Sequence, residues 1–450
     1  FGENDKLSIS LSHFDSKWNA SGQIPQRAVD QGLIGNFGAI DDTEGGNTSR
    51  SIINVQHKKQ LSENTNLKIN VYVSLYDFEL YSNFTFFLED PINGDQIKQK
   101  ENRTTFGLNS TFEKKTNWNT IPVKYQVGVG LRQDKIDNIE LSRTANRITT
   151  LENVMLGDIN ESNISGFGNA EFRFNKLMVN AGLRYDFFNF DYYDKLAENY
   201  TNEAENKGII SPKLNFSYQF NDDFQLFLKS GKGFHSNDTR VNIANGARKT
   251  LPASYGSDFG FIWKPLPKMV FNSAIWYLFL EQEFVYVGDA GIVEPSGKTE
   301  RKGIDLGLRY QMTDWLFLNA DYTYSHARST EEPRFSNYIP LAPKSTFMGS
   351  LSVVKNRFSG TLRSRVLGDR PANEDFTLIA KGYFVSDLNL NYTFKNITAG
   401  ILVENIFNTQ WKETQFETES RLQNEAQPVS EIHFTPGTPF NFRAVLTYKF

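Results

Sequence analysis

The stretch from Phe440 to Phe450 constrains the fold more than any other part of this sequence. Phe440, Phe442, Ala444, Leu446, Tyr448 and Phe450 alternate with Asn441, Arg443, Val445, Thr447 and Lys449. Successive side chains of a strand point to opposite faces, so the pattern predicts a β-strand with one apolar and one mostly polar face. Its length suits a tilted strand crossing a bilayer, about 9–11 residues, whereas strands of soluble sheets usually stop near five or six. The segment therefore points to a membrane barrel.

The same alternation recurs along the chain. Leu67, Ile69, Val71, Val73 and Leu75 form one apolar row, and Val123, Tyr125, Val127, Val129 and Leu131 another. Further rows are Leu177 to Phe187, Ile304 to Tyr310, Leu316 to Tyr324 and Ile397 to Val403, taken at every second residue. The pattern predicts roughly 18 strands of about 10–13 residues each.

Connections between these segments alternate in length. Short turns fall near 61–65, 113–120, 175–176, 221–223, 264–268, 311–314, 355–356 and 395–396. Long polar connections span 15–48, 79–100, 134–161, 189–207, 236–253, 288–297, 327–342, 369–380 and 408–437. Outer-membrane barrels have this asymmetry, with tight periplasmic turns and long extracellular loops. A soluble sandwich or propeller has no reason to keep every second connection long.

Composition removes several alternatives. The mean hydropathy is −0.47, and no apolar run reaches the roughly 18 residues of a transmembrane helix. The richest stretch, Phe271 to Leu280, is interrupted by Asn272 and Ser273. With 38 Phe and 19 Tyr, the chain carries enough aromatics for girdles at both membrane interfaces. A formal net charge of −4 without a basic stripe argues against a nucleic-acid partner. The absence of Cys excludes disulfide and thiolate–metal frameworks. Phe1 follows no initiator Met or leader, so the sequence is expected to be the later part of a longer protein.

Several motifs carry a family resemblance over nearly the whole chain. Lys229-Ser-Gly-Lys-Gly-Phe-His235 resembles a strand ending in Gly-Phe at the outer rim of TonB-dependent outer-membrane receptors. Leu251-Pro-Ala-Ser-Tyr-Gly-Ser-Asp-Phe-Gly260 resembles the loop-to-strand element that follows, with Ala253 and Asp258 where the family has Glu. Arg301-Lys-Gly-Ile-Asp305 is similar to its Gly-x-Glu strand start, again with Asp for Glu. Ile339-Pro-Leu-Ala-Pro-Lys344 resembles its Pro-x-x-Pro motif leading into a strand, and Glu404-Asn-Ile-Phe-Asn408 with Trp411 its element before the last loop. Phe450 matches the terminal aromatic used as an assembly signal by the barrel-assembly machinery.

The resemblance implies an all-β chain in which residues 1–450 form one antiparallel transmembrane β-barrel domain, about 18 strands of a family total of about 22. It implies that an N-terminal plug and the first strands are missing, and that TonB engages the missing part. The strand around Lys6 to Phe14 should then leave an edge unfilled. Regular closure onto Phe440–Phe450 would favour the alternative, a complete 18-stranded diffusion porin. A β-rich surface adhesin or binding protein is the reading from another class. The implied function is import of a large scarce nutrient, a ferric siderophore, across the outer membrane of a Gram-negative bacterium. Outer-membrane lipid, TonB and the barrel-assembly machinery would be its partners.

No nucleophile motif frames any Ser, so no enzyme, catalytic residue or cofactor is expected. Phe84, Phe86 and Phe87 in one long connection, and Tyr192 and Tyr193 in another, are candidate ligand platforms. Flat aromatics can stack on ring groups, although the second cluster, with Phe188 and Phe190, also suits an interface girdle. His235 and His326 are candidates for ligand contact near the outer rim. His13, His57 and His433 are dispersed, the five Met are scattered, and no metal site is expected. Arg132, Arg184, Arg309, Arg363 and Arg443, with Asp186, Asp305 and Glu404, should face the lumen, where they would hold a plug or line water. The acidic stretch Asp41-Asp-Thr-Glu44 lacks calcium-loop spacing and reads as solvated surface.

Overall fold

The computed structural model describes residues 5–198, 202–236, 239, 250–287 and 292–450. Its body is an 18-stranded sheet. The first strands are β1 (Asp5–Asn19), β2 (Gly45–Ser62), β3 (Thr65–Ser82), β4 (Ile97–Trp118), β5 (Ile121–Ala145) and β6 (Thr149–Phe174). Next come β7 (Leu177–Asp194), β8 (Asn202–Asn221), β9 (Phe224–Phe234), β10 (Ala253–Leu266), β11 (Met269–Leu280) and β12 (Thr299–Gln311). The last are β13 (Leu316–Ser329), β14 (Ser345–Lys355), β15 (Phe358–Leu367), β16 (Tyr383–Phe394), β17 (Ile397–Glu404) and β18 (Asn441–Tyr448). Each strand pairs antiparallel with the next in sequence, from β1–β2 through to β17–β18.

Alternation works as the residue pattern requires. Val129, Leu183 and Ile275 are 58%, 55% and 57% exposed on the outer face. Stranded in water they would be unfavourable, whereas transfer to hydrocarbon contributes about 1.5–3 kcal/mol for each large apolar side chain. The ladder also satisfies the backbone N–H and C=O groups along its length, the condition for crossing lipid. Among the described residues no helix is long and apolar enough to cross a membrane.

Among the described residues the first pairing of the ladder is β1 with β2 and the last is β17 with β18. Nearly every residue of β1 and β18 is exposed, on both faces.

Short turns on one side follow from local chemistry. Asn119, Asn175, Asn356 and Lys395 each open a two-residue turn with φ between 50° and 57°, the left-handed region that tight hairpins need and Asn tolerates. On the other side two expected loops turn out to be strand. The stretch 134–161 is the upper part of the β5–β6 hairpin, whose strands are 25 and 26 residues long. Its connection is only Asn146–Ile148, with Asn146 and Arg147 at φ 53° and 60°. The stretch 189–207 likewise continues β7 to Asp194 and starts β8 at Asn202. Above the bilayer the outer face of a hairpin meets water, so apolar residues are no longer needed at every second position there and the backbone ladder persists without its signature. Register shifts at Ile136/Ile139, Leu141/Ser142 and Arg143/Thr144 break the period further.

Candidate functional site

Lumen-facing positions on β4–β7 enclose a cavity of about 360 Å³. Arg132 and Asp134 stand two apart on β5, and Arg184 and Asp186 two apart on β7, so each pair shares the inner face. Arg132 Nε donates to Asp134 Oδ2 at 2.5 Å. Arg184 Nε and Nη2 both donate to Asp186 at 2.7 Å, a bidentate fork. Thr105 donates to Asp134 at 2.7 Å, and Arg103 approaches it at 3.9 Å. The carboxylates are buried, with side chains 6% and 1% exposed, while the Arg132 and Arg184 side chains are 53% and 44% exposed. Buried acids therefore hold the guanidinium heads in fixed orientation towards open space. That array can receive an oxyanion without first ordering long side chains.

The rest of the wall is apolar. Ile136, Ile139, Ile159 and Tyr192 form one buried cluster, and Phe188, Phe190, Ile209, Leu251 and Ala253 another. Phe188 and Phe190 stack at 5.5 Å with an interplanar angle of 5°. Convergent cations beside apolar walls are the usual make-up of a ligand pocket.

The candidates read from sequence are distributed unevenly. Tyr192 is 6% exposed and backs the cavity, with its ring against Gly157, while Tyr193 is half-buried on the same strand. The inner-face placement of Phe188, Phe190 and Tyr192 replaces the interface-girdle alternative for them. Phe84 and Phe87 are half-buried. Phe86 is a correction: at 1% exposure it packs against Ala28 and Leu422 and stacks on His433 at 5.6 Å, so its faces are filled from within the protein. His235 is exposed just below the outer rim, and His326 is half-buried on β13. His13 lies 2.9 Å from Ser51 Oγ, and His57 contacts Asp5. The five His are not brought together, and no group of three metal-ligating side chains occurs among the described residues. Arg103, Asp134 and Glu161 were not anticipated. The repeat Arg132-Gln-Asp134 and Arg184-Tyr-Asp186, each pair on the polar face of a strand, was the available signal.

Above the lumen, the first and last loops interlock. Ile24–Pro25 pairs with His433–Phe434, extending a hairpin of Lys412–Ser420 and Val429–Pro436 into a three-stranded sheet. Arg27 crosses the contact and donates to Glu425 at 2.8 and 2.9 Å, to Glu431 at 2.7 Å and to the Ser420 carbonyl at 3.1 Å. It also donates to Ser420 Oγ at 3.0 Å, and that hydroxyl lies 2.9 Å from His433 Nε2. With a cation donating to Oγ, the hydroxyl proton is left to point at His433, which must be neutral to accept it. Burial, and then the Arg27 charge, lower the His433 pKa to about 3. These loops join β1 to β2 and β17 to β18, so they link the first and last hairpins of the ladder.

A second knot holds the loops on the β1–β6 side. Arg147, at the tip of the β5–β6 hairpin, donates to the carbonyls of Thr43 and Glu44. Glu44 itself is 2% exposed. Burial, and then the Asp41 charge, push its carboxyl up to about 8.

The family model for the TonB-dependent receptor-like β-barrel matches residues 3–406. The chain belongs to the TonB-dependent receptor family. Barrels of this family are proteins of the Gram-negative outer membrane, and this receptor is one of them. Its structure is similar to that of the ferric citrate transporter FecA in the unliganded form, with a TM-score of 0.81 and 13% identity, covering 99% of this chain and 67% of that one. It is similar also to the siderophore receptor PiuA from Acinetobacter baumannii, with a TM-score of 0.79 and 13% identity, covering 99% and 72%. An uncharacterized TonB-dependent receptor of Haemophilus influenzae is 25% identical over 166 residues, 34% of this chain. The matched segment spans 46%, about half, of that relative's length.

Proposed function

We propose that this receptor imports a ferric siderophore across the outer membrane, in a process driven through TonB. The reading is carried by the lumen cavity, where oriented guanidinium groups stand beside an aromatic and aliphatic wall. Ferric siderophore complexes are large, and their iron-binding oxygens are anionic, so cations held by buried carboxylates and flat apolar surface suit them. Two structural neighbours, the ferric citrate transporter FecA and the siderophore receptor PiuA, support the same class.

Radiolabelled iron uptake provides the test, comparing a strain lacking the receptor with its complemented parent. Citrate, hydroxamate and catecholate complexes would be supplied in turn, each with and without functional TonB. The proposal expects at least one ferric complex to enter only when both receptor and TonB are present. Unchanged uptake of every complex in the deletion strain would overturn it.

A further inference from the structure

We propose that a second cavity, lower on the same inner wall, is a binding station for an oxyanion of the solute on its way to the periplasm, a deepening that rests on the import reading. This cavity measures about 410 Å³ and is lined by Gln126, Phe167, Asn169, Arg184, Ser211 and Lys213, among others. Register places these groups side by side. Gly182 of β7 pairs with Asn169 of β6 and Lys213 of β8, while Arg184 pairs with Phe167 and Ser211. All therefore share the inner face with Arg184.

Two observations point to a ligand. Asn169 Oδ1 and Ser211 Oγ are buried and have no hydrogen-bond partner, a condition that costs about 1–3 kcal/mol per group unless something binds there. No Asp or Glu lines the cavity. Arg184 is already paired with Asp186, and Glu113 nearby is held by Gln126 at 2.7 Å and Lys124 at 3.2 Å. Lys213 and Lys232 are the lysines on the lining; the Lys232 ammonium lies 6.0 Å from the centre of the Tyr255 ring, and Lys213 stands beside the two unpartnered groups. Glycine at 182 keeps the floor open, since a Cβ there would lie 2.7 Å from Lys213 Cε and 3.0 Å from Asn169 Oδ1. A carboxylate, hydroxamate or catecholate oxygen seated here would accept from Lys213 and Ser211.

Position gives the station its role. Arg184 and Phe234 line both cavities, so a group released above reaches the lower one without crossing another wall. Gln126 lies five residues beyond Ile121 and Asn169 five before Phe174, the strand ends at the short-turn side.

The experiment uses the full-length receptor in energised cells. This chain contains no Cys, so Ser211→Cys introduces a thiol beside Lys213, with the unsubstituted receptor as background. Its reaction rates with an anionic sulfonatoethyl and a cationic trimethylammonium methanethiosulfonate are each divided by the rate with a free thiol. The anionic reagent should be favoured about tenfold, and adding Lys213→Gln should lower that ratio at least threefold. Asn169→Cys reports on the same cavity if the first variant fails to assemble. No preference, a preference unchanged by Lys213→Gln, or no labelling by either reagent would each overturn the proposal. An acidic side chain from another segment of the receptor seated on Lys213 would produce the first of these outcomes. The readout needs no transported solute, so failure of the import reading is seen separately, in the iron-uptake experiment.

Discussion

Replacing Arg27 with Met should open the clasp between the first and last loops while leaving the barrel intact. The Arg27 side chain is 12% exposed, and its partners Glu425 and Glu431 are 16% and 24% exposed. Met keeps much of the aliphatic stem but removes the donors, leaving two carboxylates in a largely desolvated site. Breaking a buried pair from one side costs about 3–5 kcal/mol. Partial access of water to the carboxylates lowers the expectation here to about 2–4 kcal/mol. Because the clasp is a peripheral unit with its own small sheet, the loss should appear as local opening. Hydrogen exchange of 412–436 should then speed up roughly 30- to 900-fold, taking about 1.4 kcal/mol per tenfold, while β11–β16 exchange as before. The triple variant Arg27→Met, Glu425→Gln, Glu431→Gln should recover much of the protection, since no charge is left uncompensated. An increase below threefold in 412–436, or equal loosening of the barrel strands, would refute the reasoning.

Acid should loosen the same clasp. Its folded form prefers neutral His433 and ionised Glu425, the latter held below its ordinary value by the Arg27 hydrogen bond. For both groups stability is present above the unfolded pKa and lost as pH falls, His433 acting between about 6.5 and 3; proteolysis of 421–428 at pH 7.5 and 5 checks this. Glu44 has the opposite sign: its contribution is fully present below about 4.5 and is lost as pH rises through about 8. Glu44→Gln should therefore flatten the alkaline loss of exchange protection in 83–96. At Gly128 a Cβ would lie 2.3 Å from the Phe167 ring, so Gly128→Ala should destabilise by about 1–3 kcal/mol, read as a lower urea midpoint for the assembled barrel. Removing Phe450, which is fully exposed at the chain end, should reduce the assembled fraction in outer membranes and leave the urea midpoint of assembled receptor unchanged.

How much was legible follows from where each residue meets its environment. Inside the bilayer, lipid forces apolar side chains to every second position, so rows such as Leu177 to Phe187 could be read directly. Tight turns were readable because Asn175 and Asn356 carry the left-handed backbone a two-residue hairpin needs. Above the bilayer that forcing ends. The upper halves of β5 and β6 are as regular as the rest, yet Asp134 to Glu161 read as loop because polar residues occupy both faces. The site shows the same division. Arg132, Arg184 and Asp186 were legible as lumen-facing from strand period alone. Asp134 and Glu161 were hidden within the stretch taken for loop, and Arg103 belongs to a strand whose upper end was read as loop. The Arg27 clasp joins residues about 400 positions apart, a contact no local pattern encodes, and Phe86 looked like a ligand platform because its partners Ala28, Leu422 and His433 come from distant loops.

The account's central claim is that guanidinium groups on the inner wall receive an anionic ferric complex for import. Equilibrium binding of the complex identified by iron uptake, measured on purified full-length receptor, tests it most directly through the double variant Arg132→Gln, Arg184→Gln. Two charge-assisted contacts at about 1.5–3 kcal/mol each predict affinity at least about a hundredfold weaker, with the binding of wild type falling as salt is raised. Affinity within threefold of wild type in a correctly assembled double variant would contradict the claim.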